Sequence, residues 1–169
     1  VPDRVPFTPL YQFFPGRYAG LSFKDAMYDY TRLAAALKKV TLDLQPDAYA
    51  DILRNFALGS VLEMIDYRQL KWPGHGLPPD VTYQFIEGEY MKADEYDAFM
   101  LDPSGFLLRT IFPRIYGAAE PLKKLPAVPQ VYYTRVLAGI AALGDPGVSN
   151  AIQNLLKAGA EARKVISMS

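Results

Sequence analysis

Apolar residues recur at three- and four-residue intervals through much of the chain, and this spacing predicts helices more often than strands. The clearest helix begins at Ser22, whose hydroxyl can cap the first turn while Asp25 stands at the capping-box position. Its apolar stripe continues to Leu44, and Pro46-Asp47 ends it. Asp145-Pro146 has the residues typical of another helix start. Further helices are predicted over 58–66, 94–101, 106–111 and 131–143.

Short apolar or alternating segments predict strands between the early helices. These segments are the ranges 7–14, 48–53 and 81–86. The many Pro and Gly residues of 71–80 exclude a helix and predict a rigid, turn-rich loop. A second proline group, at positions 121, 126 and 129, predicts a linker-like connection. Early strand–helix alternation favours an α/β fold, and the later helices mean that a parallel sheet is left incomplete.

Charge and composition narrow the functional classes. Lys and Arg number 18 and Asp and Glu number 18, so zero net charge argues against a nucleic-acid or anionic-membrane partner. With no cysteine there is no disulfide framework and no thiolate nucleophile. The longest apolar run, 136–143, is far shorter than the ~20 residues that span a bilayer. We therefore expect a cytoplasmic protein without membrane or nucleic-acid partners.

Two residues of the 71–80 loop are candidate ligand contacts. His75 is the only histidine and follows Pro-Gly, which suits either a ligand contact or an ordinary surface turn. Trp72 can stack on a ligand, or it can pack the loop onto the core. One histidine without cysteine is a poor transition-metal ligand set, so no metal site is predicted in this chain.

Several motifs resemble one known family. They are the opening Asp3-Arg4-Val5-Pro6-Phe7, the stretch PLYQFFPGRY at 9–18, and Asp51-Ile52-Leu53 followed by Ala57-Leu58-Gly59. KWPGHGL at 71–77 and EGEYMKADEYD at 87–97 add to the likeness. Together they resemble the uroporphyrinogen decarboxylase (URO-D) superfamily, which includes the haem-pathway decarboxylase and corrinoid-dependent methyltransferases. The resemblance implies a TIM (β/α)8-barrel.

The resemblance also implies a reaction and a set of site residues. The reaction is decarboxylation of a tetrapyrrole carboxylate in porphyrin biosynthesis, a carbon–carbon lyase step that needs no cofactor. Arg17 matches the Gly-Arg-Tyr arginine that holds a substrate carboxylate, and Asp51 matches the catalytic aspartate that stabilises the protonated pyrrole. The predicted substrate-binding residues are Arg17, Tyr18, Phe14, His75 and Trp72.

One departure from the family motif keeps a second reaction open. The family carries an earlier arginine where this chain has the uncharged Tyr11-Gln12-Phe13-Phe14. A pocket for a multiply anionic tetrapyrrole is harder to build without that cation, because a buried unpaired carboxylate is costly. The alternative is a methyltransferase that moves a methyl group between a corrinoid and a thiol or other acceptor. Its corrinoid and zinc would be bound by a longer parent protein.

Length sets a third expectation. A (β/α)8-barrel takes about 250 residues, so 169 residues predict a single domain over 1–169 that forms the N-terminal half of a helix-rich barrel. Such a half would leave strand edges unpaired and would self-associate through them, giving a homo-oligomer. A non-catalytic truncated fragment is then the remaining alternative, and little activity is expected from this chain alone.

Overall fold

The computed structural model of the protein describes residues 3–48, 58–127 and 136–167. The fold is mixed α/β, and within those ranges helices far outnumber strands. The helices are α1 (Phe14–Tyr18), α2 (Phe23–Tyr28), α3 (Tyr30–Leu44), α4 (Gly59–Met64), α5 (Tyr96–Leu101), α6 (Pro103–Phe106), α7 (Phe112–Ile115), α8 (Val136–Leu143) and α9 (Pro146–Ser167). Shorter helical turns are the 3-10 segments Ala93–Glu95 and Gly117–Lys124 and the π segment Leu107–Ile111.

The strands form one small sheet. They are β1 (Leu70–Pro73), β2 (Gly76–Leu77) and β3 (Gln84–Phe85), in the order β2-β1-β3. The β1–β2 pairing is parallel, with Trp72 opposite Gly76 and Pro73 opposite Leu77. The strand predicted over 48–53 falls largely on residues outside the described ranges.

The chain divides into two compact units. Unit 1 takes Val1–Val61, Lys71–Gln84 and Glu161–Ser169, and unit 2 takes Leu62–Leu70 and Phe85–Ala160. The single domain predicted over 1–169 stays a prediction.

The Ser22 helix start of unit 1 is confirmed. The Ser22 hydroxyl accepts a hydrogen bond from the Asp25 backbone N–H, and the Asp25 carboxylate accepts one from the Ser22 N–H, which completes a capping box. The predicted single helix is nevertheless two helices. Asp29 leaves helical geometry and its carboxylate accepts from the Arg32 N–H, so it ends α2 and caps α3.

The strand predicted over 7–14 is wrong. Phe14 begins helix α1 instead, with Pro15 in its first turn, where a missing backbone N–H removes no intrahelical hydrogen bond. Tyr11 and Phe13 are buried, and Phe13 stacks on Phe23 with ring centroids 4.7 Å apart. The segment therefore anchors α1 on α2 by aromatic contact.

The 71–80 loop contains no helix, as predicted, but it does contain most of β1 and all of β2. Its chain doubles back through Gly74 and Gly76, whose φ angles of 84° and 76° suit glycine far better than other residues. In the 81–86 segment only Gln84–Phe85 is a strand, and Phe85 is 73% exposed. The predicted half-buried strand is therefore much shorter than expected.

Two prolines of unit 2 lie within helical segments, although Pro121 was predicted to belong to a linker-like connection. Pro113 lies in the first turn of α7, directly after the π segment, and Pro121 lies inside the 3-10 segment. The core of unit 2 is Ala119, Leu122, Val148 and Ala151. The Asp145 helix start is confirmed, because its carboxylate accepts hydrogen bonds from the N–H groups of Gly147 and Val148.

Across the described ranges, none of the helices is both long enough and apolar enough to cross a bilayer.

Candidate functional site

Arg17, the predicted carboxylate-binding residue, lies exposed on α1. Its guanidinium carbon lies 5.9 Å from the centre of the Phe23 ring, a cation–π distance. Phe13, one helical turn earlier, stacks on that same ring. Within the described residues Arg17 has no ion pair to a carboxylate. The guanidinium is thus positioned by an aromatic ring while its N–H donors are left for another partner.

Phe14 and Tyr18 belong to a different environment. Their ring centroids are 5.6 Å apart on α1. The Tyr18 hydroxyl donates a hydrogen bond of 3.0 Å to the carboxylate of Asp43 on α3, and the Lys39 ammonium lies 5.1 Å from the centre of the Tyr18 ring. The hydrogen bond to Asp43 raises the pKa of Tyr18 above its ordinary value. Tyr18 is therefore directed to α3, whereas Arg17 is directed to α2.

Trp72 is in the core of unit 1. Its side chain is fully buried, and its indole Nε1–H donates a 3.0 Å hydrogen bond to the Tyr28 hydroxyl. One face of the indole stacks on the His75 ring, with centroids 4.3 Å apart and planes 10° apart. Because none of the ring is exposed, Trp72 offers no surface on which a ligand could stack. It holds the loop to the core, the second of the two roles its sequence allowed.

His75 is exposed at the tip of the loop. The backbones of Trp72 and His75 pair in both directions, with N–H to O distances of 3.1 and 2.9 Å. Indole stacking and this double backbone pairing fix the position of the imidazole. The structure thus brings two of the predicted residues, Trp72 and His75, into contact. Trp72 is buried beneath the loop, whereas His75 is exposed at its tip.

Sequence reasoning missed two lysines beside His75. A Cβ placed on Gly74 would lie 2.8 Å from Cγ and Cδ of Lys24, so the Lys24 stem crosses that glycine. A Cβ placed on Gly76 would lie 3.3 Å from Cγ of Lys71. The signal in the sequence was the pair of glycines flanking the histidine, which lets long side chains lie directly on the backbone.

Tyr83 belongs to an aromatic cluster at α2 that also contains Phe13 and Phe23. Its ring lies 5.0 Å from Phe13, and its hydroxyl contacts the Met27 sulfur at 3.3 Å. Burial raises the pKa of Tyr83 well above its ordinary value, so the phenol stays protonated. It is a packing residue of the cluster, and it supplies no base.

Asp51, the predicted catalytic aspartate, lies outside the described residues. The candidate site residues that are described form three groups in unit 1. Arg17 lies with Phe23, Tyr18 and Phe14 lie towards α3, and His75 lies over Trp72. Among the candidate residues themselves, Arg17 is the exposed cation and His75 the exposed imidazole.

In the acidic segment near Asp94 in unit 2, Glu95 forms a stabilising ion pair with Arg114. Glu95 accepts two hydrogen bonds from the Arg114 guanidinium and a third, of 2.8 Å, from the Lys92 N–H. Arg114 holds the pKa of Glu95 at about 2, well below its ordinary value. A general acid would need a raised pKa instead, so Glu95 is a structural carboxylate.

In the described ranges, His, Asp and Glu side chains do not gather in groups of three or more that could hold a metal ion. The zinc implied by the methyltransferase alternative is expected in a longer parent protein.

Neither the models of known protein families, nor the curated proteins, nor the solved structures contain a match to this chain.

Proposed function

We propose that this chain is the N-terminal part of a URO-D-like barrel protein, in which Arg17 binds a peripheral carboxylate of a tetrapyrrole that is then decarboxylated. The observation that carries the proposal is the state of Arg17. It is exposed, held on the Phe23 ring at 5.9 Å, and without a carboxylate partner among the described residues. A guanidinium with unused, pre-oriented donors suits paired hydrogen bonds to a ligand carboxylate.

The contrast with other arginines supports this assignment. Arg32 pairs with Asp25 at 3.1 Å and Arg4 with Asp47 at 2.6 Å, both within unit 1. Arg109 and Arg114 have carboxylate partners in unit 2. Arg17 differs from all four because it has no carboxylate partner among the described residues.

In the proposed reaction, Arg17 orients the ligand by its carboxylate, while Asp51 stabilises the positive charge of the protonated pyrrole as carbon dioxide leaves. The role of Asp51 is taken from the family resemblance alone. Electrons of the breaking carbon–carbon bond flow into the protonated pyrrole, and a proton then replaces the lost carboxyl group.

The test is a titration of the whole chain with an octacarboxylate porphyrin. Binding is measured from the change in the visible absorbance of the porphyrin. Arg17→Ala is expected to weaken binding about tenfold, the value of one charge-assisted contact. Arg163→Ala is the matched control, because Arg163 is also exposed in unit 1 and has no ion pair among the described residues. Absence of binding, or equal loss in both variants, would contradict the proposal.

A second candidate, a corrinoid-dependent methyltransferase of the same superfamily, is favoured by one observation. Tyr11 and Phe13 are buried, 6% and 5% exposed, so the stretch before Arg17 contributes apolar side chains to the core and no second cation. A corrinoid with neutral amide side chains asks for fewer cations than a porphyrin carboxylate. Binding of methylcobalamin that is unchanged by Arg17→Ala, with no porphyrin binding, would favour this alternative.

A further inference from the structure

The Gly-His-Gly tip of the 71–80 loop carries a basic cluster that the proposed function does not use. We propose that Lys24, Lys71 and His75 form a binding site for a phosphate-class oxyanion. The inference rests on contacts within unit 1 and does not depend on the family resemblance or on Arg17.

The two lysines approach the histidine from separate parts of the chain. Lys24 belongs to α2, and its stem lies on Gly74, with Cε 3.0 Å from the position of an added Cβ. Lys71 belongs to β1, and its stem lies on Gly76. The two glycines are separated by one residue, so their Cα atoms are at most about 7 Å apart. The stems of both lysines therefore lie on the residues directly before and after His75.

Of the two lysines, Lys24 has an electrostatic interaction with the neighbouring Asp25 carboxylate. Among the described residues, neither Lys24 nor Lys71 forms an ion pair with a carboxylate. The nearest acidic neighbour in sequence, Asp25, is already occupied, since it caps Ser22 and pairs with Arg32 at 3.1 Å. Although the chain has zero net charge, two lysines without an ion pair beside one loop favour an anion there.

The loop is held in position before any anion binds. Trp72 stacks under the imidazole, and the Lys24 backbone N–H donates a 2.9 Å hydrogen bond to the Pro79 carbonyl. The Gly74 N–H donates a 3.1 Å hydrogen bond to the Leu77 carbonyl. A site fixed in this way loses little conformational entropy on binding.

The chemistry of the donors selects the class of ligand. Lysine ammonium groups are compact charges with three rotatable donors, and they suit the several oxygens of a tetrahedral phosphate. A single carboxylate is better matched by the planar fork of arginine. We therefore assign the cluster to phosphate, either free or as part of a larger ligand.

The experiment is a titration of the whole chain with inorganic phosphate at constant ionic strength, in which binding is monitored by NMR. His75 is the only histidine and Trp72 the only tryptophan, so the imidazole and indole signals are assigned without ambiguity. We expect saturable shifts of both signals. Lys24→Met and Lys71→Met keep the stems that lie on the glycines and remove only the charge. Each is expected to raise the Kd about two- to fivefold, as for exposed ion pairs.

Lys157→Met is the matched control, because Lys157 is an exposed lysine of unit 2 without an ion pair among the described residues. It should leave the Kd unchanged. Shifts that do not saturate, that chloride reproduces, or that all three variants reduce equally would overturn the site. Acetate binding as tightly as phosphate would overturn its assignment to phosphate. A phosphopeptide or phosphorylated metabolite that competes with inorganic phosphate would support it.

Discussion

In unit 2, the arginines of the short helices are paired with carboxylates, whereas in unit 1 several cations are not. Arg109 lies 2.8 Å from Asp102, and Arg114 binds Glu95 through both of its terminal nitrogens. Arg17, Lys24 and Lys71 form no ion pair with a carboxylate in the described part of the chain. Paired charges hold short helices in place, and unpaired charges on a fixed framework can bind a ligand. Unit 1 is therefore the part of the protein in which we place binding.

The apolar interiors of the two units differ as well. Unit 1 buries large rings, among them Phe13 and the fully covered indole of Trp72. Unit 2 also buries a ring, that of Phe106, but its core cluster is made of the smaller side chains Ala119, Leu122, Val148 and Ala151. Large rings form a rigid support with few side chains, and that support lies directly beneath the exposed loop tip at His75.

Trp72→Ala tests this support and has the largest expected effect. The substitution removes a fully buried indole and its hydrogen bond to Tyr28, which is expected to cost about 3–5 kcal/mol of unfolding free energy. Chemical denaturation followed by circular dichroism measures the loss. Trp72→Phe keeps most of the ring and should cost clearly less. If Trp72→Ala cost under about 1 kcal/mol, aromatic burial would not be what holds unit 1.

Gly74→Ala tests the loop backbone and is expected to cost about 1–3 kcal/mol. The φ angle of Gly74 is 84°, and the new Cβ would lie 2.8 Å from the Lys24 stem. Gly20→Ala is the matched control, since Gly20 has a φ of 77° but nothing within 4 Å of an added Cβ. Gly74→Ala should therefore be the costlier change in thermal unfolding. Equal losses would mean that the Lys24 stem moves aside at no cost and that only the positive φ matters.

Local signals in the sequence predicted the helix starts well. Ser22 and Asp145 each carry a side-chain acceptor next to a helix, and both cap as expected. Such caps involve residues two or three positions apart, so the sequence contains the whole interaction. The break at Asp29 was missed because the apolar spacing runs through it, and its cap to the Arg32 N–H uses a residue equally suited to a helix surface.

Proline positions and the site were harder to predict. Pro121 was predicted to lie in a linker, yet it lies inside a 3-10 segment. Pro15 and Pro113 lie in the first turns of short helices, where no intrahelical hydrogen bond is lost. Lys24 was missed because its placement depends on a contact between α2 and the loop, which are far apart in sequence. Sequence spacing carries no information about such a contact.

Glu95→Gln tests the Glu95–Arg114 ion pair of unit 2 through the pH dependence of stability. Because the pKa of Glu95 falls from an ordinary 4.5 to about 2 on folding, its ionised form stabilises the folded protein above about pH 4.5. That stabilisation is lost as the pH falls from 4.5 towards 2. The difference in unfolding free energy between the wild type and Glu95→Gln should therefore be largest near pH 6 and vanish near pH 2. In an Arg114→Met background the pH-dependent difference should shrink, and a difference that persisted there would show that Arg114 is not its cause.

Tyr11→Phe has the smallest expected effect and tests whether unit 1 tolerates an unpaired polar atom for the sake of aromatic burial. The Tyr11 hydroxyl is buried and has no hydrogen-bond partner among the described residues, so the folded state bears its desolvation cost. Removing the oxygen keeps the ring beside Phe14, at a centroid distance of 6.0 Å. We expect unfolding free energy to stay unchanged or to rise by up to about 1 kcal/mol in urea denaturation. Tyr83→Phe is the opposite case, because the Tyr83 hydroxyl contacts the Met27 sulfur, and it should lower stability slightly. A clear loss of stability in Tyr11→Phe would mean that the Tyr11 hydroxyl has a hydrogen-bond partner in the folded protein. Unit 1 would then satisfy its buried polar atoms, just as unit 2 pairs its arginines with carboxylates.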